Sequence, residues 1–236
     1  LGDPALQQAI DMGCWTPREV FSSYSDADLG WSAANVSADQ SRFDIMLEGE
    51  RVAAVNWELQ GFHNIENALA AVAAARHAGV SPDQAASALN SFQGIKRRME
   101  LVGEARGISV YDDFAHHPTA IHRTLQGLRC RIGSRRILVA LEPRSNTMRM
   151  GIHRTELPEA LKVADRVFLF RPPELDWPLE SVAAEVGDNA TVHETVNELV
   201  DQICRESEEG DTVVVMSNGA FGGIHQLLVQ ALGTKS

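Results

Sequence analysis

Beyond Gly94 the chain alternates short apolar runs with stretches of helical spacing, and that alternation restricts the fold more than any other feature. The apolar runs are Ile108 to Tyr111, Ile137 to Leu141, Val167 to Phe170 and Val213 to Met216. Each is too short for a helix and too apolar to leave one face in water, so each reads as a strand buried on both sides. Between them Ile121, Leu125 and Leu128, and later Val196, Leu199, Val200 and Ile203, recur at helical intervals. Strands separated by helices predict an α/β fold with a mostly parallel sheet covered on both faces. Ligands of such sheets collect at the carboxyl ends of the strands. Asp112 and Asp113, Glu142 to Arg144, Arg171, and Ser217 to Gly223 directly follow the apolar runs, so they are expected along one edge.

Residues 33 to 60 have a different texture. Phe43-Asp44-Ile45-Met46-Leu47 and Val52-Ala53-Ala54-Val55-Asn56-Trp57, joined by Glu48-Gly49-Glu50-Arg51, read as a β-hairpin. Ile65, Leu69 and Val72 then share one face of a helix. A second helix is punctuated by Ser81 as N-cap, Pro82 at its first position, Gln84 completing a capping box, and Gly94 just past its end. A boundary between Gly94 and Arg97 follows, dividing the chain into residues 1–94 and 95–236.

With 44% hydrophobic residues in 236, the chain has material for two modest cores. No apolar run is long enough to span a bilayer, and Leu1-Gly2-Asp3-Pro4 does not open a secretory leader, so a cytoplasmic protein is the expectation. A formal charge of -11 argues against broad binding to nucleic acid. One basic island opposes that trend: Arg129, Arg131, Arg135, Arg136, Arg144, Arg149 and Arg154 face a single acid, Glu142. It could hold an acidic small molecule or be a set of solvated arginines. Cys14, Cys130 and Cys204 have neither disulfide nor zinc spacing and read as buried thiols.

Several polar groups could carry chemistry. Asn64 and Asn67 can point their amides at one ligand, and an amide's donor and acceptor suit an adenine edge; alternatively Asn64 caps a helix. Arg97 and Arg98, at the boundary, could reach phosphate oxygens across an interdomain cleft or be a solvated linker pair. Asp113 ends a strand, where a carboxylate can accept both hydroxyls of a ribose. His116 and His117 are adjacent, which suits chelation poorly, so no metal is assigned to them, and His116 is taken as a polar contact near a substrate. The run Met216 to His225 contains Gly219, Gly222 and Gly223, permitting close backbone approach, positive φ and free N–H groups for an anion. It is neither a dinucleotide fingerprint nor a P-loop, and Gly233-Thr234-Lys235-Ser236 is not a P-loop either.

Three of these segments, His63-Asn64-Ile65-Glu66-Asn67, Arg97-Arg98-Met99-Glu100 and Tyr111-Asp112-Asp113-Phe114-Ala115-His116-His117-Pro118, resemble in order and spacing the Mur ligases, the ATP-dependent amide-forming enzymes of peptidoglycan synthesis. The resemblance extends over nearly the whole chain from Asp11-Met12-Gly13-Cys14-Trp15 onward. It implies that residues 1–94 are the latter part of a central ATPase domain and residues 95–236 a Rossmann-like carboxy-terminal domain that binds the incoming peptide. It further implies ATP and Mg2+ as cofactors, with Asn64 and Asn67 on the adenine, Arg98 on the nucleotide and Asp113 on the ribose.

The segment Glu142 to Gly151 and the ending Asn-Gly-Ala-Phe-Gly-Gly-Ile-His are similar to members that join L-Ala-γ-D-Glu-meso-diaminopimelate to UDP-N-acetylmuramate in peptidoglycan recycling. The implied chemistry passes through an acyl phosphate, from which the peptide amine displaces phosphate. The Asp-Asn-Pro-Arg motif of the enzyme that adds diaminopimelate alone is absent. Peptide contacts are therefore assigned to Arg144, Ser145, Asn146 and Arg149, with His116 and His225.

The family's P-loop, acidic metal ligand and further histidine have no counterpart here, so no catalytic or metal-binding residue is assigned. The chain is expected to be a fragment unable to hydrolyse ATP by itself. The rivals are another Mur ligase, a folylpolyglutamate synthetase, which the Tyr111 to Pro118 segment fits less well, and a non-catalytic nucleotide- and peptide-binding module.

Overall fold

The structure is a computed structural model that describes residues 4–22, 30–59 and 61–234; Leu1 to Asp3, and Lys235 and Ser236 of the terminal Gly-Thr-Lys-Ser segment, lie outside the described residues. The chain divides into two compact units, Leu1–Gln93 and Gly94–Ser236.

In the first unit, α1 (Pro4–Asp11) precedes β1 (Phe21–Ser22), β2 (Trp31–Ala34), β3 (Arg42–Leu47), β4 (Glu50–Asn56), α2 (Phe62–His77) and α3 (Pro82–Asn90). The strands form one sheet in chain order, β1 parallel to β2 and the rest antiparallel. The expected hairpin is β3–β4, but its turn is tighter than the sequence suggested. Glu48 and Gly49 alone make it, with φ of 50° and 80°, the paired positive values whose twist matches the flanking strands. Ile65, Leu69 and Val72 of α2 are fully buried in a core with Trp31, Phe43, Ile45 and Val55.

Two helix boundaries differ from expectation. Gly61 caps α2, so Asn64 lies inside the first turn and is not the N-cap. The helix α3 stops at Asn90, short of Gly94, where the Ser91 hydroxyl donates to the Ala88 carbonyl at 2.9 Å and competes with the next helical turn. Its start is as expected: Ser81 Oγ accepts from the Gln84 N–H at 3.3 Å, and Gln84 Oε1 accepts from the Ser81 N–H at 3.4 Å. Ser81→Ala is expected to cost the first unit about 1 kcal/mol in urea unfolding followed by circular dichroism. An unchanged midpoint would show that this capping box does not hold the helix.

The second unit contains β5 (Glu100–Ala105), β6 (Ile108–Asp113), α4 (Pro118–Ile132), β7 (Ile137–Leu141), α5 (Asn146–Arg149), α6 (Leu157–Leu161), β8 (Arg166–Phe170), α7 (Glu180–Val186), β9 (Ala190–His193), α8 (Val196–Glu206), β10 (Thr212–Met216) and α9 (Ile224–Thr234). The sheet order is β5-β6-β10-β7-β8-β9. All neighbours are parallel except β5, an antiparallel edge strand on β6.

The period of two sorts the strand side chains onto two cores. Ile137, Val139, Leu141, Val214 and Met216 pack with Ile121, Leu125 and Leu128 of α4 and Leu157 and Leu161 of α6. Ile108, Val110, Leu138, Ala140, Val213 and Val215 pack on the other face with Leu199 and Ile203 of α8 and Ile224, Leu228 and Leu232 of α9. The last strand, β10, therefore lies between two strands whose following helices cover the first face, while its own helix α9 covers the second. That reversal makes a crevice at its carboxyl end, where ligands of open α/β sheets bind.

Only one cysteine fits the buried-thiol expectation: Cys204 is buried, whereas Cys14 and Cys130 are exposed. The basic island is not one surface either. Arg129 donates to the carbonyls of Gly133, Arg135 and Val163 and to Asp165, and Arg136 lies near Glu208 and Asp211, so both serve the amino-terminal ends of the strands. Arg144 and Arg149 lie beyond the opposite, carboxyl end of β7.

Candidate functional site

The carboxyl ends of β6, β10 and β7 bring together the Asp112–Pro118, Ser217–Gly223 and Glu142–Gly151 segments, as the alternation in the sequence predicts. Alternation also separates the two neighbouring acids. Asp112 continues the row of Ile108 and Val110 toward α9, and Asp113 continues the row of Tyr111 toward the α4 face.

Asp113 is 2% exposed. Its Oδ2 accepts from the Met99 N–H at 2.9 Å and its Oδ1 from the Ala115 N–H at 2.8 Å. Burial pushes its carboxyl above the usual carboxylate range, opposed by those two N–H groups. The side chain thus clamps the turn that leads into β5 to the loop that leaves β6. That turn holds two non-glycine residues at positive φ, Arg97 at 60° and Met99 at 49°. A conformation that L-residues rarely adopt persists only where its surroundings fix it. Here the Arg97 N–H donates to Glu100 Oε2 at 2.7 Å and the Arg97 carbonyl accepts from the Phe114 N–H at 2.7 Å.

The two arginines separate sharply in their surroundings. Arg97 turns inward, with Nε 2.9 Å from Asp112 Oδ2 and Nη2 donating to the carbonyls of Ser217 at 2.6 Å and Gly219 at 2.9 Å. Arg98 is exposed, its guanidinium 5.8 Å from the centre of the Phe114 ring. Residue by residue, the resemblance placed the nucleotide contact at Arg98, and that is the arginine whose fork faces water. Asn64 is half-buried and Asn67 exposed, three residues apart on α2 of the first unit.

After β7 the buried Glu142 receives the Ser217 hydroxyl at 2.5 Å on Oε2, and its Oε1 lies 3.7 Å from Arg144 Nη1. Ser217 Oγ in turn accepts from the Gly219 N–H at 2.9 Å. The Arg144 side chain lies across the turn: a Cβ at 219 would stand 2.3 Å from Arg144 Cδ, so any larger residue there must push the arginine aside. Ser145 caps α5 by accepting from the Met148 N–H at 3.4 Å, Asn146 is exposed and Arg149 half-buried. The Trp177 indole pins this segment from below, donating to the Met148 carbonyl at 2.8 Å. The glycine turn adopts the left-handed φ expected of it, at 57° for Gly222 and 74° for Gly223, and Phe221 shares it at 44°.

The two histidines after β6 divide in role. His116 Nδ1 is 2.9 Å from the Phe114 carbonyl, and His117 caps α4 by accepting from the Thr119 N–H at 3.2 Å. The His117 ring also lies 4.3 Å from that of His153, and burial followed by this neighbour lowers its affinity for a proton. On α9, His225 Nε2 sits 3.0 Å from Asp112 Oδ1. Asp112, Glu142 and Ser217 were expected along this edge but given no role, and Arg97, read with Arg98 as a candidate phosphate contact, instead binds Asp112 and the Ser217–Gly219 turn. Continuing the two-residue period of Ile108 and Val110 would have pointed Asp112 at the helix after β10.

The sequence profile of the Mur ligase glutamate ligase domain matches residues 97–219. The chain is 46% identical over 235 residues to the UDP-N-acetylmuramate--L-alanyl-gamma-D-glutamyl-meso-2,6-diaminoheptandioate ligase of Escherichia coli, covering 99% of this chain and 50% of that protein. It is 42% identical over 234 residues to the ligase of the same name from Haemophilus influenzae, covering 99% and 51%. A murein peptide ligase from Psychrobacter arcticus superposes with a TM-score of 0.77 at 41% identity, over 100% of this chain and 51% of that one. The chain spans about half the length of the curated relatives it matches.

Proposed function

Since the chain belongs to the Mur ligase family, we propose that it is the nucleotide- and acceptor-handling portion of a ligase that joins L-Ala-γ-D-Glu-meso-diaminopimelate to UDP-N-acetylmuramate with ATP in peptidoglycan recycling. The observation that carries this reading is the identity of 46% across 99% of the chain to a ligase whose name specifies that peptide. A cytoplasmic setting, where ATP and UDP-sugars are found, goes with it. Among the described residues no helix is long and apolar enough to cross a membrane.

The proposed roles follow what each side chain offers. Asn64 and Asn67 take the adenine edge, Arg98 presents a solvent-facing fork to phosphate oxygens, and Asp113 offers its remaining lone pairs to the ribose. Arg144 and Arg149 meet the peptide's carboxylates, with Ser145 and Asn146 as hydrogen-bonding neighbours and His116 and His225 at the rim. In this reading the chain contributes by positioning: the acceptor amine must be held in line with the activated carboxyl group, and held geometry is worth several orders of magnitude in rate.

Magnesium accompanies ATP in this chemistry, but the described residues contain no group of three His, Cys, Asp or Glu side chains able to hold a metal ion. No magnesium ligand is therefore assigned to this chain.

The test is calorimetric titration with the diaminopimelate tripeptide and, separately, its lysine analogue, which lacks one carboxylate. Loss of a charge-assisted hydrogen bond predicts at least roughly tenfold weaker binding of the lysine peptide. Equal affinity for both would remove diaminopimelate recognition from these residues.

A further inference from the structure

We propose that Asp112 and His225 are positioning residues that act through Arg97 to hold the Ser217–Gly219 turn, and with it Arg144, in place for the acceptor. The functional consequence rests on the acceptor reading above; the geometry does not.

Asp112 is 9% exposed, and a carboxylate buried that far needs charged partners. Arg97 supplies one, its Nε 2.9 Å from Oδ2, and the imidazole of His225 packs against the other oxygen, with Nε2 3.0 Å from Oδ1. Asp112 Oδ1 and His225 Nε2 are both sealed from water, and neither makes a hydrogen bond, so the 3.0 Å approach between them is a packing and electrostatic contact. With the His225 ring of α9 packed against Oδ1 and Arg97 hydrogen-bonded to Oδ2, rotation of the carboxylate would press Oδ1 into the ring or break the Arg97 bond.

A guanidinium is rigid and planar, so fixing Nε also fixes where Nη2 points. Nη2 reaches the carbonyls of Ser217 and Gly219, the first groups after β10 leaves the sheet. From the other side, Glu142 holds the Ser217 hydroxyl, which holds the Gly219 N–H. The turn is therefore gripped by an arginine at its carbonyls and by a carboxylate-linked serine at its amide. Across it lies the Arg144 side chain, seated so closely that a Cβ at 219 would push its end aside. Movement of the turn moves the arginine proposed to meet the peptide, and a displacement of about 1 Å at such a contact can cost about a hundredfold in rate.

The proposal separates from a merely structural role by where the damage falls. In this chain, His225→Ala and Asp112→Asn are expected to accelerate hydrogen exchange at the Gly219 amide at least about tenfold, leaving Val139 and Leu169 in the sheet centre unchanged. In the complete ligase, Asp112→Asn, at a residue given no substrate contact, is expected to raise the acceptor KM about tenfold while kcat stays within about twofold. An unchanged Gly219 exchange rate, or equal loss of protection at Gly219 and Val139, overturns the proposal, as does a fall in kcat with the acceptor KM unaltered. If the unsubstituted ligase does not use the tripeptide, the acceptor reading fails, while the exchange result still decides whether this clasp holds the turn.

Discussion

Asp113→Ala is expected to destabilise the unit Gly94–Ser236 by about 2–6 kcal/mol, because it orphans two N–H donors at about 1–3 kcal/mol each. Those donors belong to Met99 and Ala115. Against a net stability of about 5–15 kcal/mol for an ordinary domain, this is a large fraction. Loss of ATP use in that variant would mix a missing ribose contact with a collapsing loop. Asp113→Asn separates the two, since an amide oxygen still accepts one N–H, and it is expected to raise the apparent KM of the complete ligase for ATP. An unchanged KM would reject the ribose role.

The same residue gives a pH dependence whose sign follows from burial. Asp113 has a folded pKa above its ordinary 3.8, so the folded state binds this proton more readily than the unfolded state. Its stabilising share is complete below 3.8 and is lost as pH rises through the raised folded value. The unfolding free energy of the natural chain minus that of Asp113→Asn should therefore fall across that window and then level off. A difference that rises with pH would mean that the Met99 and Ala115 N–H groups outweigh burial.

Much of the second unit is legible because its strands announce themselves. Val213 to Met216 and Ile137 to Leu141 have no polar face, which only a strand covered on both sides can tolerate. The insertion of β10 between β6 and β7 is not legible, since strand order depends on contacts between segments about a hundred residues apart. Nor is β5, whose residues are mostly exposed and lack an apolar alternation, as suits an edge strand. At the site, family motifs picked out Asp113 and Arg98, one deeply buried and one exposed. They gave no role to Asp112 and set Arg97 behind Arg98, because the importance of this pair comes from each other and from a loop some 120 residues away. An ion pair of that kind leaves no local spacing to read. Asn64 illustrates the opposite error: its residue type suits a helix cap, but Gly61 starts the helix one turn earlier.

Arg97→Ala is expected to cost the second unit about 2–4 kcal/mol, less than the roughly 3–5 kcal/mol of a fully buried charged pair because the Arg97 side chain is 30% exposed. Three losses combine. Asp112 loses its hydrogen-bonded guanidinium and is left with only His225 beside it, and the Ser217 and Gly219 carbonyls lose their donor. The substituted alanine must also hold the positive φ of 60° now imposed on Arg97. The contribution from the stranded charge can be isolated by a double-mutant cycle with Asp112→Asn, because an amide in that position needs no cation. Urea unfolding should show the pair of changes costing less than the sum of the single ones by at least about 1 kcal/mol. Strict additivity would place the loss in the carbonyls and the backbone, leaving Asp112 indifferent to Arg97. A positive coupling would instead show that the carboxylate and the guanidinium stabilise the fold as one unit, which is the condition for Asp112 to steer the glycine turn at all.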